Sequence, residues 1–529
     1  MSRDHKGKTH TNYPSIFNDV IGPVMRGPSS SHCAAALRIG RMARDLMDAH
    51  IENVLVEFDQ HGSLAATHTS QGSDMGLFAG FLGWDPTDER LAESSQELQA
   101  TGIQVQIKIT DYPAVHPNTY KMTLSSAIEK HTMTAISTGG GAIEVIKIDG
   151  CEVSMSGDFY ETLVYVESDA ERVLNFLLDN VVAGDIQLFE DSDTQFIEIK
   201  AGHFLEQETT AELCSKYQVK SIKTISPVLP ILSSQTNEIP FITSAELLQY
   251  NQGKDLDLWQ LALQYESARG SLSHEQVFNM MKEIVLTMQK SILEGIEGTH
   301  FQDRILGYQS GTFRTHMENQ RLLDGGILNQ IILYTTAMME MKSAMGVIVA
   351  APTAGACGGL PGAVLGSASV MGLSVDDMTR AMLAAGMIGI FISAHATFAA
   401  EVGGCQAECG AGSGMAAAAL TTLAGGTTTQ ALNAASMALQ NILGMICDPV
   451  ANRVEVPCLG KNVMAASNAL ACANMALAEF DAVIPLDEVI TTMHQVGKSL
   501  PSELRCTGLG GLSITPTSKS IESRLGQSH

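Results

Sequence analysis

The amino-acid sequence changes character near residue 240, and that change constrains the fold more than any other feature. Beyond it Ala, Gly and Met dominate, and strand-like alternation nearly disappears. Segments 273–294, 327–345 and 370–391 return apolar residues every three or four positions, the period of an α-helix. Small residues let helix axes approach closely, so this half reads as an all-helical domain of densely packed helices. Segment 381–400 is nearly uncharged, but Gly386, Gly389, Ser393 and His395 interrupt it and no aromatic or basic flank anchors it. A helix buried in protein is expected there, not a membrane span.

Before residue 240 helix and strand mix. Segment 34–50 (AAALRIGRMARDLMDAH) reads as an amphipathic helix, 53–58 (NVLVEF) as a strand, and 103–109 (IQVQIKI) alternates as a half-buried strand does. From about 145 to 230 the order is strand, helix, two strands, helix, strand: TLVYVE, AERVLNFLLDN, DIQLFE, QFIEIKA, TTAELCSKY and VKSIKTISPVL. That is the split βαβ order. It suggests an ACT-like module of the kind that binds an amino acid or pairs subunits, with a purely structural α/β unit as the alternative. Ser233 to Asn237, followed by Pro240, reads as a linker. The expected architecture is α+β: an N-terminal β domain over 14–145, an ACT-like ferredoxin-fold module over 146–235, and an all-helical C-terminal domain over 240–525.

Acidic residues number 57 against 32 basic ones, a formal charge of −25, which repels nucleic acid and anionic membrane surfaces alike. The first eighteen residues are polar and lack the apolar core of a secretory signal, so the ten cysteines are expected to be reduced. Seven of the ten lie after residue 350. Cys405 and Cys409, in GGCQAECG, share one face if that segment is helical. Cys447 and Cys458, in CDPVANRVEVPC, sit beside Pro449 and Pro457, which favour a loop. Loop cysteines near a helix start suit cluster ligation, because free backbone N–H groups donate to sulfur there. No CxxC pair occurs, which argues against a structural zinc site. Spacing alone leaves a metal or cluster site and inert buried thiols both open.

Gly27 to His32 (GPSSSH) precedes the helix at 34–50, where hydroxyls and free N–H groups suit a carboxylate; a plain N-cap is the alternative. Further candidates are His61-Gly-Ser with His68 and Gln71 to Asp74, His116-Pro-Asn118-Thr119, the glycine run 139–141, and the break at 351–355.

Together these pieces resemble the iron–sulfur L-serine dehydratases across nearly the whole chain. The resemblance rests on IGPVMRGPSSSH, HGSLAATHTSQGSD, HPNTYKMTL, APTAGACGGLPG, EVGGCQAECG, CDPVANRVEVPC and LRCTGLGGLSITPT. It implies β and α domains of that family fused in one chain, the helical part binding the cluster. It further implies a [4Fe–4S] cluster held by Cys405, Cys447 and Cys458, with one iron open to chelate L-serine by its carboxylate and β-hydroxyl. Cys409 and Cys357 then become supporting residues. Ser29, Ser30, Ser31, His116, Asn118 and Thr353 are implied substrate contacts, and the products pyruvate and ammonia. The family usually has Gly-His-Gly-Thr-Asp where this chain has Ser70 to Asp74, so Gln71 replaces a histidine and the base is sought among His32, His61 and His68. Cys33 stands where Thr is usual, and Cys506 lies inside the chain, whereas some members end in a cysteine. A cytoplasmic homodimer with no nucleic-acid or membrane partner is expected. The alternative is a related [4Fe–4S] lyase acting on cysteine or threonine.

Overall fold

The computed structural model describes residues 13–192, 194–233 and 238–526. The first twelve residues, most of the linker segment 233–237 and the closing Gln527-Ser528-His529 lie outside them.

The N-terminal half carries two sheets. Helix α1 (Ala35–Leu46) leads into strand β1 (Asn53–Asp59), helix α2 (Ser73–Phe81) and strands β2 (Gln104–Thr110), β3 (Thr119–Ser125), β4 (Lys130–Gly139), β5 (Ala142–Ile148) and β6 (Cys151–Met155). These strands form one sheet in the order β2-β1-β3-β4-β5-β6, antiparallel except for β1 with β2. Helices α1 and α2 touch along glycine: a Cβ on Gly80 would lie 2.3 Å from the Leu37 carbonyl oxygen, so only glycine permits that approach.

A second unit follows: β7 (Tyr160–Val166), α3 (Ala170–Asn180), β8 (Asp185–Glu190), β9 (Gln195–Ala201), α4 (Gln207–Lys216) and β10 (Val219–Ile225). Its four strands are antiparallel in the order β10-β7-β9-β8. Alternate residues of β7 divide between two cores. Leu163 and Tyr165 join the apolar core of the larger sheet, whereas Val164 and Val166 pack under α3 and α4.

From Ser244 onward the chain is mostly helical, including α5 (Leu258–Gly270), α6 (His274–Glu297), α7 (Ile327–Ser343), α8 (Gly359–Met371), α9 (Val375–His395), α10 (Cys409–Leu423), α11 (Thr428–Gln440) and α12 (Cys458–Leu477). The expected helix over 370–391 is in fact two. Gly372 turns left-handed at φ +68° and ends α8, and a Ser374–Asp377 capping box starts α9. Helices α8 and α9 are apolar enough to cross a membrane by composition, yet most of their residues are buried within the protein. Val24 and Met25 pair with Val349 and Ile348, stitching the N-terminal segment to the helical half.

Candidate active site

Three segments of the helical half meet around the cysteines. The expectation that Cys405 and Cys409 share a helix face fails: residues 405–407 form a single 3₁₀ turn, Glu408 is non-helical (φ −102°, ψ −84°), and α10 starts at Cys409. Cys405 packs with Cys447 and Cys506, and Cys409 with Ala356 and Ala465. The loop expected over 447–458 is present, closing with Cys458 as the first residue of α12. Cys405, Cys447 and Cys458 are all buried. One donor atom each from Cys405, Glu408 and Cys447 lie within 4.8 Å of one another.

The electrostatics distinguish these thiols. Cys405 is held below the ordinary thiol range, first by a hydrogen bond from Cys447 and then by the ammonium of Lys461, whose Nζ lies 3.7 Å from its sulfur. The same Nζ donates to the Ile446 carbonyl at 2.7 Å and to Asp448 at 3.0 Å. Burial opposes the charge on Lys461, but Cys405 and Asp448 keep it well above the usual lysine range. Burial pushes Cys458 up, and the negative charge of Cys405 pushes it further. Burial likewise raises Glu408, helped by Cys405, while Thr353 donates to its carboxylate at 2.8 Å.

Asn462, wholly buried, ties these segments together. Its Oδ1 accepts from the N–H groups of Gly358 and Gly359 at the start of α8, and its Nδ2 donates to the carbonyls of Gly355 and Cys458. Cys506 joins Cys405 and Cys447 in one apolar knot, and Gln71 donates to its sulfur at 3.5 Å.

The N-terminal half brings Ser29 to His32 against this assembly. Ser30 accepts from the Ala354 N–H at 3.0 Å, and Ser31 donates to Glu401 at 3.0 Å. His32 is fully buried, and burial holds its pKa below the ordinary histidine value. Thr67 Oγ1 gives its single proton to the Ser63 carbonyl at 2.7 Å, so at 2.8 Å from His32 Nε2 it accepts. The proton of neutral His32 therefore sits on Nε2. Nδ1 is left as an acceptor facing Ser29, Ser31 and Glu401, at 3.2, 3.1 and 3.6 Å. The glycine run 139–141 is used for close approach: a Cβ on Gly139, at φ +112°, would lie 2.7 Å from the Ala399 nitrogen, two residues before Glu401.

Among the other expected residues, Asn118 is fully buried with neither side-chain polar atom hydrogen-bonded, as a group awaiting a ligand is. His116 lies near enough to feel the charge of Glu401, though burial is the larger influence on its pKa and lowers it. Thr353 caps the 3₁₀ turn at Ala354–Ala356. The other two expected bases differ from His32 in their surroundings. The His61 side chain is 75% exposed and 3.9 Å from Asp111, because its turn follows the solvent end of β1. His68 binds Asp74 at 2.7 Å and lines a cavity of about 530 Å³ between the two halves, together with Pro28, Lys342 and Arg453 but none of the cysteines. Sequence reasoning missed Glu401, Glu408, Lys461 and Asn462. The first two flank the Cys405 turn in the sequence itself, and that proximity was the available signal.

The chain is similar to known proteins over most of its length. Residues 253–513 match the family model described as serine dehydratase alpha chain, and residues 20–147 that of serine dehydratase beta chain. A Bacillus subtilis protein named probable L-serine dehydratase, alpha chain, is 36% identical over 280 residues, 53% of this chain and 93% of its own length. Proteins named L-serine dehydratase from Haemophilus influenzae and Helicobacter pylori are each 26% identical, over 92% of this chain and 96% of their own.

Proposed function

Because the chain belongs to the serine dehydratase family, with counterparts of its alpha and beta chains in one polypeptide, we propose that it is an L-serine dehydratase. It is then a lyase that eliminates water from L-serine to give pyruvate and ammonia, at a [4Fe–4S] cluster held by Cys405, Cys447 and Cys458. The observation that carries this reading is the meeting of the Ser29–His32 segment with Glu401, four residues before Cys405.

The residues fit such a group. Three buried thiols, one already favoured as thiolate, have Lys461 beside them to offset negative charge. When bound, the cluster supplies a Lewis-acidic iron that polarises the β-hydroxyl as leaving group. The protein supplies the rest. His32 Nδ1, unprotonated because Nε2–H is committed to Thr67, takes the Cα proton. Glu401 beside Nδ1 stabilises the imidazolium that forms. Ser29 and Ser30 offer hydroxyls for the carboxylate, Ser31 being engaged with Glu401, and Asn118 an unused amide. Burial of the whole set keeps water from competing for those donors. The eliminated enamine tautomerises to an imine, which water converts to pyruvate and ammonia.

In the same reading, the four-stranded unit in the order β10-β7-β9-β8 is an ACT-like ferredoxin-fold module. The test is anaerobic purification with iron and sulfide quantification, then assays of 2-oxo-acid formation with serine, threonine and cysteine in parallel, pyruvate being the product from serine and cysteine and 2-oxobutanoate that from threonine. Iron with sulfide, and pyruvate from serine, are expected. Pyruvate from cysteine but not from serine would replace the substrate assignment, and protein without iron would sink the cluster.

A further inference from the structure

Glu401 presents a buried carboxyl oxygen that the protein itself leaves without a partner. Its side chain is 3% exposed. Oε1 accepts from Ser31, while Oε2 is shut off from solvent with no hydrogen-bond partner. Among the described residues, the one basic group within 4 Å is the His32 imidazole, and its proton points away toward Thr67. A desolvated carboxylate without a counter-ion is strongly disfavoured unless a cation arrives. The position is specific. Glu401 lies on the short helix Ala400–Gly403, between the serine run on one side and the Cys405 turn on the other.

We infer that Glu401 Oε2 receives the α-ammonium group of the substrate, so that the site admits α-amino acids and rejects the corresponding 2-hydroxy acids. The inference rests on the lyase reading above and deepens it by naming the group that sets the substrate class. An amino acid brings the missing cation to Glu401. A hydroxy acid of the same shape buries its carboxylate beside an uncompensated one.

The experiment is isothermal titration, without oxygen, of the iron-loaded protein with two unreactive probes. α-Methyl-L-serine lacks the Cα hydrogen and cannot be eliminated; glycerate has a hydroxyl where serine has its ammonium. The wild-type chain is expected to bind α-methylserine at least about 30-fold more tightly than glycerate, the lower range for loss of one partner from a buried charge pair. In Glu401→Gln that preference falls to within about threefold, mainly through weaker amino-acid binding, with iron content and visible spectrum unchanged. Glu401→Asp, which keeps the charge, retains the direction of the preference. Equal binding of both probes by the wild type overturns the inference, whatever the variants do. So does an iron-loaded Glu401→Gln protein that keeps the wild-type preference. Either result leaves pyruvate formation from serine intact, whereas a wild-type chain that forms none overturns the reading of the site itself.

Discussion

The protein buries ionisable side chains in two regions and provides for them in opposite ways. At the cysteine pocket, Lys461 reaches Cys405, Asp448 and a backbone carbonyl at once, so a thiolate and an ammonium persist together. At the joint between the two sheets, Glu161 on β7 and Glu198 on β9 are 0% and 2% exposed. Lys200 pairs with Glu198, at 3.5 Å, and donates to the Ser154 carbonyl, while neither oxygen of Glu161 has a hydrogen-bond partner. Burial, with the charge of Glu198, therefore holds the Glu161 carboxyl well above its ordinary range. The difference teaches how to read buried polar groups. A counter-ion, or access to the seam between the halves, marks a place built to hold charge; the absence of both marks a place where the proton stays on.

The largest expected contrast comes from truncating one side chain in each region. Cys458→Ala is expected to abolish iron loading and pyruvate formation together, whereas Glu161→Ala leaves both in place. Iron analysis and a pyruvate assay on the two proteins decide it, and equal iron in both would erase the distinction. Next in size is His32→Gln, which removes the base but no ligand. Turnover should fall by about 10²- to 10⁴-fold with iron content and serine KM little changed. Loss of iron in that variant would mean His32 holds the pocket together and does not take the proton.

Part of this was legible in the sequence. Helical periodicity located the C-terminal half because tightly packed helices repeat their small residues on a fixed period, and the succession strand, helix, two strands, helix, strand of the smaller unit was legible in its segments. The prolines at 449 and 457 announced the loop between Cys447 and Cys458. The turn at 405–407 was hidden: its break comes from the backbone of Gly404 and Glu408, which no apolar period records. The choice among histidines was hidden as well. His32, His61 and His68 look alike in sequence, and what separates them is burial and partners supplied by Thr67, Asp111 and Asp74. Glu401 escaped notice because a single glutamate in a glycine-rich run resembles any surface acid until Ser31 is brought to it from 370 residues away.

A smaller effect sharpens the counter-ion side of the comparison. Lys461→Met removes the cation beside Cys405, and the thiolate then lacks its charge partner. Iron release to a chelator should quicken by about 10- to 100-fold, the usual cost of deleting a group that supports a metal ligand. Lys461→Arg, which keeps the charge, should recover most of the retention. If Met and Arg behave alike, Lys461 acts through packing and not through charge.

The smallest expected effect lies at the sheet joint and depends on pH. Burial raises Glu198 to about 7 from an ordinary 4.5, opposed by Lys200, and Glu161 is raised too. A carboxyl whose folded pKa is raised favours the folded state while protonated. Its contribution is therefore whole below about pH 4.5 and is lost as pH rises through about 7. Glu161→Gln removes one of these titrations, keeps the shape, and relieves the repulsion between Glu161 and Glu198. Denaturant unfolding of wild type and variant should coincide near pH 5 and separate by pH 8. The variant should then be the more stable by about 1–3 kcal/mol, one pKa unit corresponding to about 1.4 kcal/mol. Curves that stay parallel from pH 5 to 8 would mean that Glu161 finds a cation in solution, and the sheet joint would then resemble the cysteine pocket after all.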